Sequence, residues 1–74
     1  MRIYMLSPVG ESIASNPAKN VTNGLRILYF LRRHGGQATE EQIEEFTGLS
    51  RSEIQLEMKK MTRGSNPIVR SISS

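Results

Sequence analysis

The sequence predicts a mainly α-helical domain with a small β-sheet, made of three to four helices and two to three short strands. Two capping boxes, one from Thr39 to Gln42 and one from Ser50 to Glu53, mark the starts of two short helices. An apolar stretch at 25–34 predicts a longer helix before them. Alternating runs at 2–6 and 68–72 predict strands near both ends of the chain.

The first residues predict a strand followed by a short helix. Ile3 and Met5 alternate with polar or amphipathic neighbours in the first run. Ser7 followed by Pro8 is a helix-start signal, since serine caps the backbone and proline loses no hydrogen bond at the first helical position. The helix is expected to run to about 15, where Asn16-Pro17 breaks it.

The stretch at 25–34 predicts a helix that is apolar on nearly all sides. Such a helix is central in its domain or shared with another subunit, so a homodimer through the helix that carries Leu25 and Leu31 is one expectation. Gly35 and Gly36 supply the left-handed end of the helix. The next residues, Gln37 and Ala38, predict no more than one bridge of a sheet.

Residues 39–63 predict two helices joined by a tight turn. Ile43 and Phe46 are the apolar positions of the short first helix, and Gly48 ends it in a left-handed conformation. Ser50 then caps the second helix. Its apolar residues, spaced by four and three, are expected to face the core: Ile54, Met58 and Met61.

Composition excludes several classes of protein. The 74 residues include no cysteine, one histidine and no aspartate, so no disulfide or thiolate metal site is expected, and an enzyme is not predicted. The longest apolar run, at 27–31, is five residues, far short of the roughly 20 that span a bilayer. We expect a cytoplasmic protein of one domain, 1–74, with a core at 20–72 and a strand and short helix at 1–16. No cofactor or small-molecule ligand is evident.

Charge is unevenly distributed along the chain. The net charge is +3, but residues 40–57 carry six glutamates against the single Arg51. The flanking segments are basic. A basic domain suggests a polyanionic partner, whereas the acidic first helix of the motif would lie away from phosphates. The glutamates at 40, 41, 44 and 45 are more readily a solvated helix face than a metal site.

The order of helix, short bridge, two-helix motif and strand resembles a winged helix-turn-helix domain. The segment at 50–61, SRSEIQLEMKKM, resembles the recognition helix of bacterial and archaeal winged-helix transcription regulators, and the segment at 48–50, GLS, looks like their turn. The segment at 4–10, YMLSPVG, is similar to one that follows the wing in such regulators and in the amino-terminal domain of phenylalanyl-tRNA synthetase. Here it comes first, so either the strand at 2–6 pairs with the strand at 68–72, or the chain joins the tail of one domain to the head of the next. We expect the first arrangement, a closed small sheet.

This resemblance implies a set of residues for binding double-stranded DNA. Arg51, Ser52 and Gln55 would meet base edges, and Lys59, Lys60 and Arg63 would contact phosphates. The alternative is that these last three cations only solvate the end of the helix and complement its dipole. Arg70, with Arg2 across from it, would form a basic wing, or would protect a sheet edge from pairing.

Leu56 keeps a second function open. It lies on the outward face of the second helix, where a reader of DNA is usually polar, although a leucine can contact a thymine methyl group. The sequence therefore predicts a transcription-regulator-like DNA-binding module first. A protein-interaction module on the same fold is the alternative, and RNA or tRNA binding is the third.

Overall fold

A computed structural model describes residues 2–16 and 18–73 as four helices and one three-stranded sheet. Pro17, part of the expected helix-breaking pair, lies outside the described residues. The elements follow in chain order: β1 (Arg2–Leu6), α1 (Pro8–Ser15), α2 (Asn23–Arg33), β2 (Gln37–Thr39), α3 (Glu40–Thr47), α4 (Arg51–Met61) and β3 (Val69–Ser73). The predicted fold class, mainly helical with a small sheet, is confirmed.

The sheet joins the two ends of the chain. Its strand order is β2-β1-β3, and both pairs are antiparallel, with Tyr4 opposite Ala38 on one side and Ser71 on the other. The predicted pairing of the first strand with the last is thus confirmed. No hairpin connects β1 to β3 among the described residues, because the two strands come from opposite ends of the sequence.

Two expectations about the strands are wrong. β2 is a three-residue strand, not one bridge, because β1 offers it a partner from Met5 to Ile3. Arg2 does not lie across from Arg70: Arg2 is opposite Ser73, and Arg70 is opposite Met5. Cross-strand partners share a face and successive residues alternate, so the two arginines lie on opposite faces of the sheet.

Local capping determines where the helices begin. Ser7 accepts a hydrogen bond from the Gly10 amide, and Thr22 accepts one from the Leu25 amide. Both predicted capping boxes are formed, at Thr39 and at Ser50. Gly48 has the expected left-handed conformation, with φ of 75°, and lets the chain turn between α3 and α4.

α2 is the central helix of the core. It packs against α1, α3, α4, β1 and β2. Its buried residues are Ile27, Leu28, Phe30 and Leu31. These contacts within one copy account for the all-round apolar character of the helix. The apolar pattern therefore no longer supports a homodimer through this helix, and the homodimer stays a prediction.

The core forms where α2 meets the inner face of the sheet and the stripes of the other helices. From the sheet it takes Tyr4, Ala38 and Val69, which are all nearly inaccessible to solvent. The predicted inward stripe of α4 is confirmed, since Ile54, Met58 and Met61 are buried.

Of the two apolar positions predicted for α3, Ile43 is buried and Phe46 is not. The Phe46 side chain is 62% exposed. Ile43 and Thr47 are the buried residues of α3. The Thr47 hydroxyl donates to the Ile43 carbonyl at 2.6 Å and accepts from the Leu49 amide at 3.3 Å, so this threonine occupies the inner position at the end of the helix. The Phe46 side chain therefore lies at the side of α3, exposed to solvent.

Candidate nucleic-acid interface

α4 presents a long outer face to solvent. Because its core residues lie on one stripe, the opposite side of the helix is free of contacts with the core. The predicted site residues on this helix are all exposed. They are Arg51, Ser52, Gln55, Lys59 and Lys60, with Arg63 just beyond the last turn. The surroundings of these side chains differ from one residue to the next.

A groove runs between α4 and the inner face of the sheet. Its volume is about 430 Å³, and it is lined by Arg2, Tyr4, Gln55, Met58, Lys59, Thr62 and Ser71. Two of these side chains are cationic, and none of the described residues that line the groove is acidic. The groove therefore combines positive charge with hydroxyl and amide groups, a chemistry suited to an anionic ligand.

Arg2 belongs to this groove, although the sequence suggested a place for it beside Arg70. β1 brings it there, because Arg2 and the buried Tyr4 share a face of the strand. The guanidinium donates a hydrogen bond to the Tyr4 hydroxyl at 3.5 Å. This hydrogen bond, followed by the charge interaction with Tyr4, raises the pKa of Arg2 above its ordinary value.

Glutamates of α3 occupy the amino-terminal end of the predicted reading face. Arg51 Nε lies 3.6 Å from Glu40 Oε1 and 3.6 Å from Glu44 Oε2. Gln55 Nε2 donates to the same Glu40 oxygen at 3.2 Å. Two of the three predicted base-reading side chains, Arg51 and Gln55, are therefore held toward α3, and glutamates partly balance the charge of Arg51 there.

Lys60 lies apart from the groove, on the other flank of α4. Its ammonium nitrogen is 3.4 Å from Glu57 Oε2. Glu53 is on the same flank, where it completes the Ser50 capping box and accepts a hydrogen bond from Asn23 at 3.3 Å. The acidic residues of this helix therefore face the start of α2, while Lys59 faces the sheet.

The remaining two predicted cations are placed differently from each other. Arg63 is exposed past the end of α4, close in sequence to the groove residue Thr62. Arg70 is exposed on the outer face of the sheet, whereas Ser71 beside it lines the groove. The structure thus brings Gln55, Lys59 and Arg2 together and leaves Arg70 on a separate surface. The alternation along β1, which places Arg2 on the same face as Tyr4, was the sequence signal that could have indicated the position of Arg2.

Leu56 is 58% exposed on the outer face of α4. It lies three residues from Lys59 and four from Ser52, which makes it their neighbour on the helix surface, so a partner that covers this face will touch it. In the part of the chain that the structure describes, no three histidine or glutamate side chains converge as metal ligands. No described helix is long and apolar enough to cross a membrane.

Comparison of the chain with family models, with curated proteins and with solved structures finds no significant match.

Proposed function

We propose that this chain is a double-stranded DNA-binding module of the winged helix-turn-helix type that acts as a cytoplasmic transcription regulator, with α4 as the helix that enters the major groove. The observation that carries the proposal is the basic groove beside α4, where Lys59 and Arg2 converge without an acidic residue among the described lining residues. An α-helix fits the major groove of B-DNA, and flanking cations bind its phosphates.

The division of charges along α4 supports this orientation. Glu53 and Glu57 lie on the flank that faces α2, where Asn23 and Lys60 engage them. The edge with Lys59 can therefore approach a phosphate chain without bringing these carboxylates along. Ser52, which is exposed and lies in the first turn, is free to meet a base edge.

The two neighbouring lysines of α4 provide a matched test. Lys59→Ala removes a groove cation and should weaken binding to every duplex about three- to tenfold, with a salt slope lower by about 0.9. Lys60→Ala removes the same charge from the same helix, but this lysine is already paired with Glu57 at 3.4 Å, so the affinity should change less than about twofold. Fluorescence anisotropy of a labelled mixed-sequence duplex, read across a salt series, measures both.

Two results would refute the proposal. One is the absence of any binding by the folded protein at about 50 mM salt, where contacts to phosphates are strong. The other is an equal loss of affinity in the two variants, since binding would then not depend on the groove.

Leu56 favours a second candidate function, a protein-interaction module that uses the same helix. It is 58% exposed at the centre of the outer face, so it offers a protein partner an apolar side chain to bury, although a single exposed leucine is also ordinary on a protein surface. In that case Leu56→Ser abolishes partner binding. If α4 binds DNA through its polar and basic edge, the same substitution changes duplex affinity less than about threefold, because the leucine offers at most one methyl contact.

A further inference from the structure

A second surface of the molecule, formed by α2 and α3, carries an exposed aromatic ring. Phe46 stacks on the buried Phe30, with ring centroids 4.5 Å apart and an interplanar angle of 21°. The far face of the Phe46 ring is open to solvent, since the residue is 62% exposed. This surface, which we call the Phe46 face, contains no residue of the groove beside α4.

Phe46 separates two shallow grooves of different charge. One has a volume of about 190 Å³ and is bordered by the cations Arg26 and Arg33, together with Tyr29. Arg26 is fixed there, because its guanidinium donates to the Thr47 carbonyl at 2.9 Å. This side of the ring is therefore basic.

The groove on the other side of the ring has an acidic border. Its volume is about 430 Å³, and Glu45 lines it with Gln42 and His34. Neither Glu45 nor Arg33 takes part in an ion pair within 2–16 and 18–73. Each of these charges is thus available to a group from outside the chain.

We propose that the Phe46 face binds the same face of a second copy of this chain and forms a two-fold symmetric dimer. In such an interface each surface is its own complement, so a contact from one residue to another occurs twice. The Phe46 face meets that condition. It has an exposed ring, a groove on each side of it, and opposite charges on the two borders. Arg33 of each copy would face Glu45 of the other.

A partner of a single charge sign fits this face less well. A basic partner would meet Arg26 and Arg33, and an acidic one would meet Glu45. A surface that pairs with both borders must carry a negative charge opposite the arginines and a positive charge opposite Glu45. A second copy of the face, turned by a two-fold rotation, carries its charges in that arrangement. The proposal does not rest on DNA binding and is tested without DNA.

Sedimentation equilibrium from micromolar to millimolar concentration tests the role of the ring. The mass should rise from 8.3 kDa toward twice that value. Phe46→Ala should raise the dissociation constant at least tenfold, because a central aromatic residue is removed. Leu56→Ala is the control, as that side chain has a similar exposure of 58% on α4, and its dissociation constant should stay within twofold of the original.

Charge reversal tests the two-fold pairing. Arg33→Glu and Glu45→Arg should each weaken the dimer about tenfold, since like charges then meet twice in each homodimer. An equimolar mixture of the two variants should dimerise like the original protein, because both pairs in the mixed dimer are again of opposite sign. Arg32→Glu is the control, since Arg32 is the neighbouring cation of α2 and lines neither of the two grooves beside Phe46. Circular dichroism checks that every variant is folded.

Three outcomes would overturn the proposal. They are a protein that remains monomeric at millimolar concentration, a dimer that Phe46→Ala and Leu56→Ala weaken equally, and a mixture of the two charge variants that dimerises no better than either alone. The first would show that the Phe46 face does not bind a second copy of the chain, and the last two would assign the dimer to another surface.

Discussion

Glu40 is the residue that most directly limits the positive charge available at the proposed DNA-binding face. One of its oxygens is 3.6 Å from Arg51 Nε and accepts a hydrogen bond from Gln55 at 3.2 Å. Its charge also lies near enough to Arg2 to contribute to the raised pKa of that guanidinium, after the larger effects of Tyr4. One carboxylate thus engages two of the predicted base-reading side chains and balances nearby cations.

Glu40→Gln should therefore tighten binding to duplex DNA by about two- to fivefold, because one repulsive charge is removed and Arg51 is less restrained. The same change should lower the free energy of unfolding by about 0.3–1 kcal/mol, since Glu40 lies in the first turn of α3, where a carboxylate interacts favourably with the helix dipole. Glu41→Gln is the matched control, with a similar effect on stability and little on affinity. Anisotropy and urea unfolding measure the two quantities, and equal affinities of the two variants would contradict this role.

At the scale of elements, the contact between α1 and the segment before β3 holds the two ends of the chain together. The Ile68 carbonyl accepts hydrogen bonds from the Ser7 hydroxyl at 2.8 Å and from the Ser7 amide at 3.1 Å. Gly10 packs directly over this carbonyl. A Cβ atom at Gly10 would overlap the Ile68 oxygen and lie 2.8 Å from Leu6 Cδ1. The glycine is thus required by the close approach of the helix to the sheet.

Gly10→Ala should lower the free energy of unfolding by about 1–3 kcal/mol, the usual cost of overpacking. Gly24→Ala is the matched control, because a Cβ at this helical position meets only ordinary contacts, the closest being Glu57 Oε1 at 3.4 Å. Alanine has the higher helix propensity, so this variant should be unchanged or more stable by up to about 1 kcal/mol. Urea denaturation measures both, and equal stabilities would mean that α1 does not depend on this approach.

The parts of the fold that the sequence predicted are those determined by neighbouring residues. The capping boxes at Thr39 and Ser50 and the left-handed Gly48 depend on contacts within three or four positions, and all three are formed. The length of β2 and the register of β1 depend on partners more than 30 residues away. For this reason the predicted single bridge was wrong, and the place of Arg2 in the groove was missed.

Phe46 shows the same limit within a helix. Its spacing from Ile43 fits a core position, but the Thr47 side chain occupies the inner place by bonding to backbone groups on both sides. Side-chain pattern alone does not reveal such a competition. The candidate site was predicted in part: Gln55 and Lys59 line the groove, whereas Lys60 and Arg70 lie elsewhere.

At the scale of the whole molecule, negative and positive side chains lie on different surfaces. α3 carries Glu40, Glu41, Glu44 and Glu45 on one segment, while Arg2 and Lys59 meet in the groove between α4 and the sheet. The net charge of +3 understates this separation. An approaching duplex would be repelled from α3 and attracted to the groove, which favours one orientation of binding.

Backbone amide shifts in a titration of the ¹⁵N-labelled protein with a mixed-sequence duplex at low salt test the central claim most directly. We expect the largest shifts at Ser52, Gln55 and Lys59 on α4 and at Tyr4 and Ser71 across the groove, with the Phe46 face unaffected. The shifts should diminish as salt is raised, because phosphate contacts are screened. Shifts centred on α3 or on the Phe46 face, or no shift with excess duplex, would contradict the assignment of the groove as the DNA-binding site.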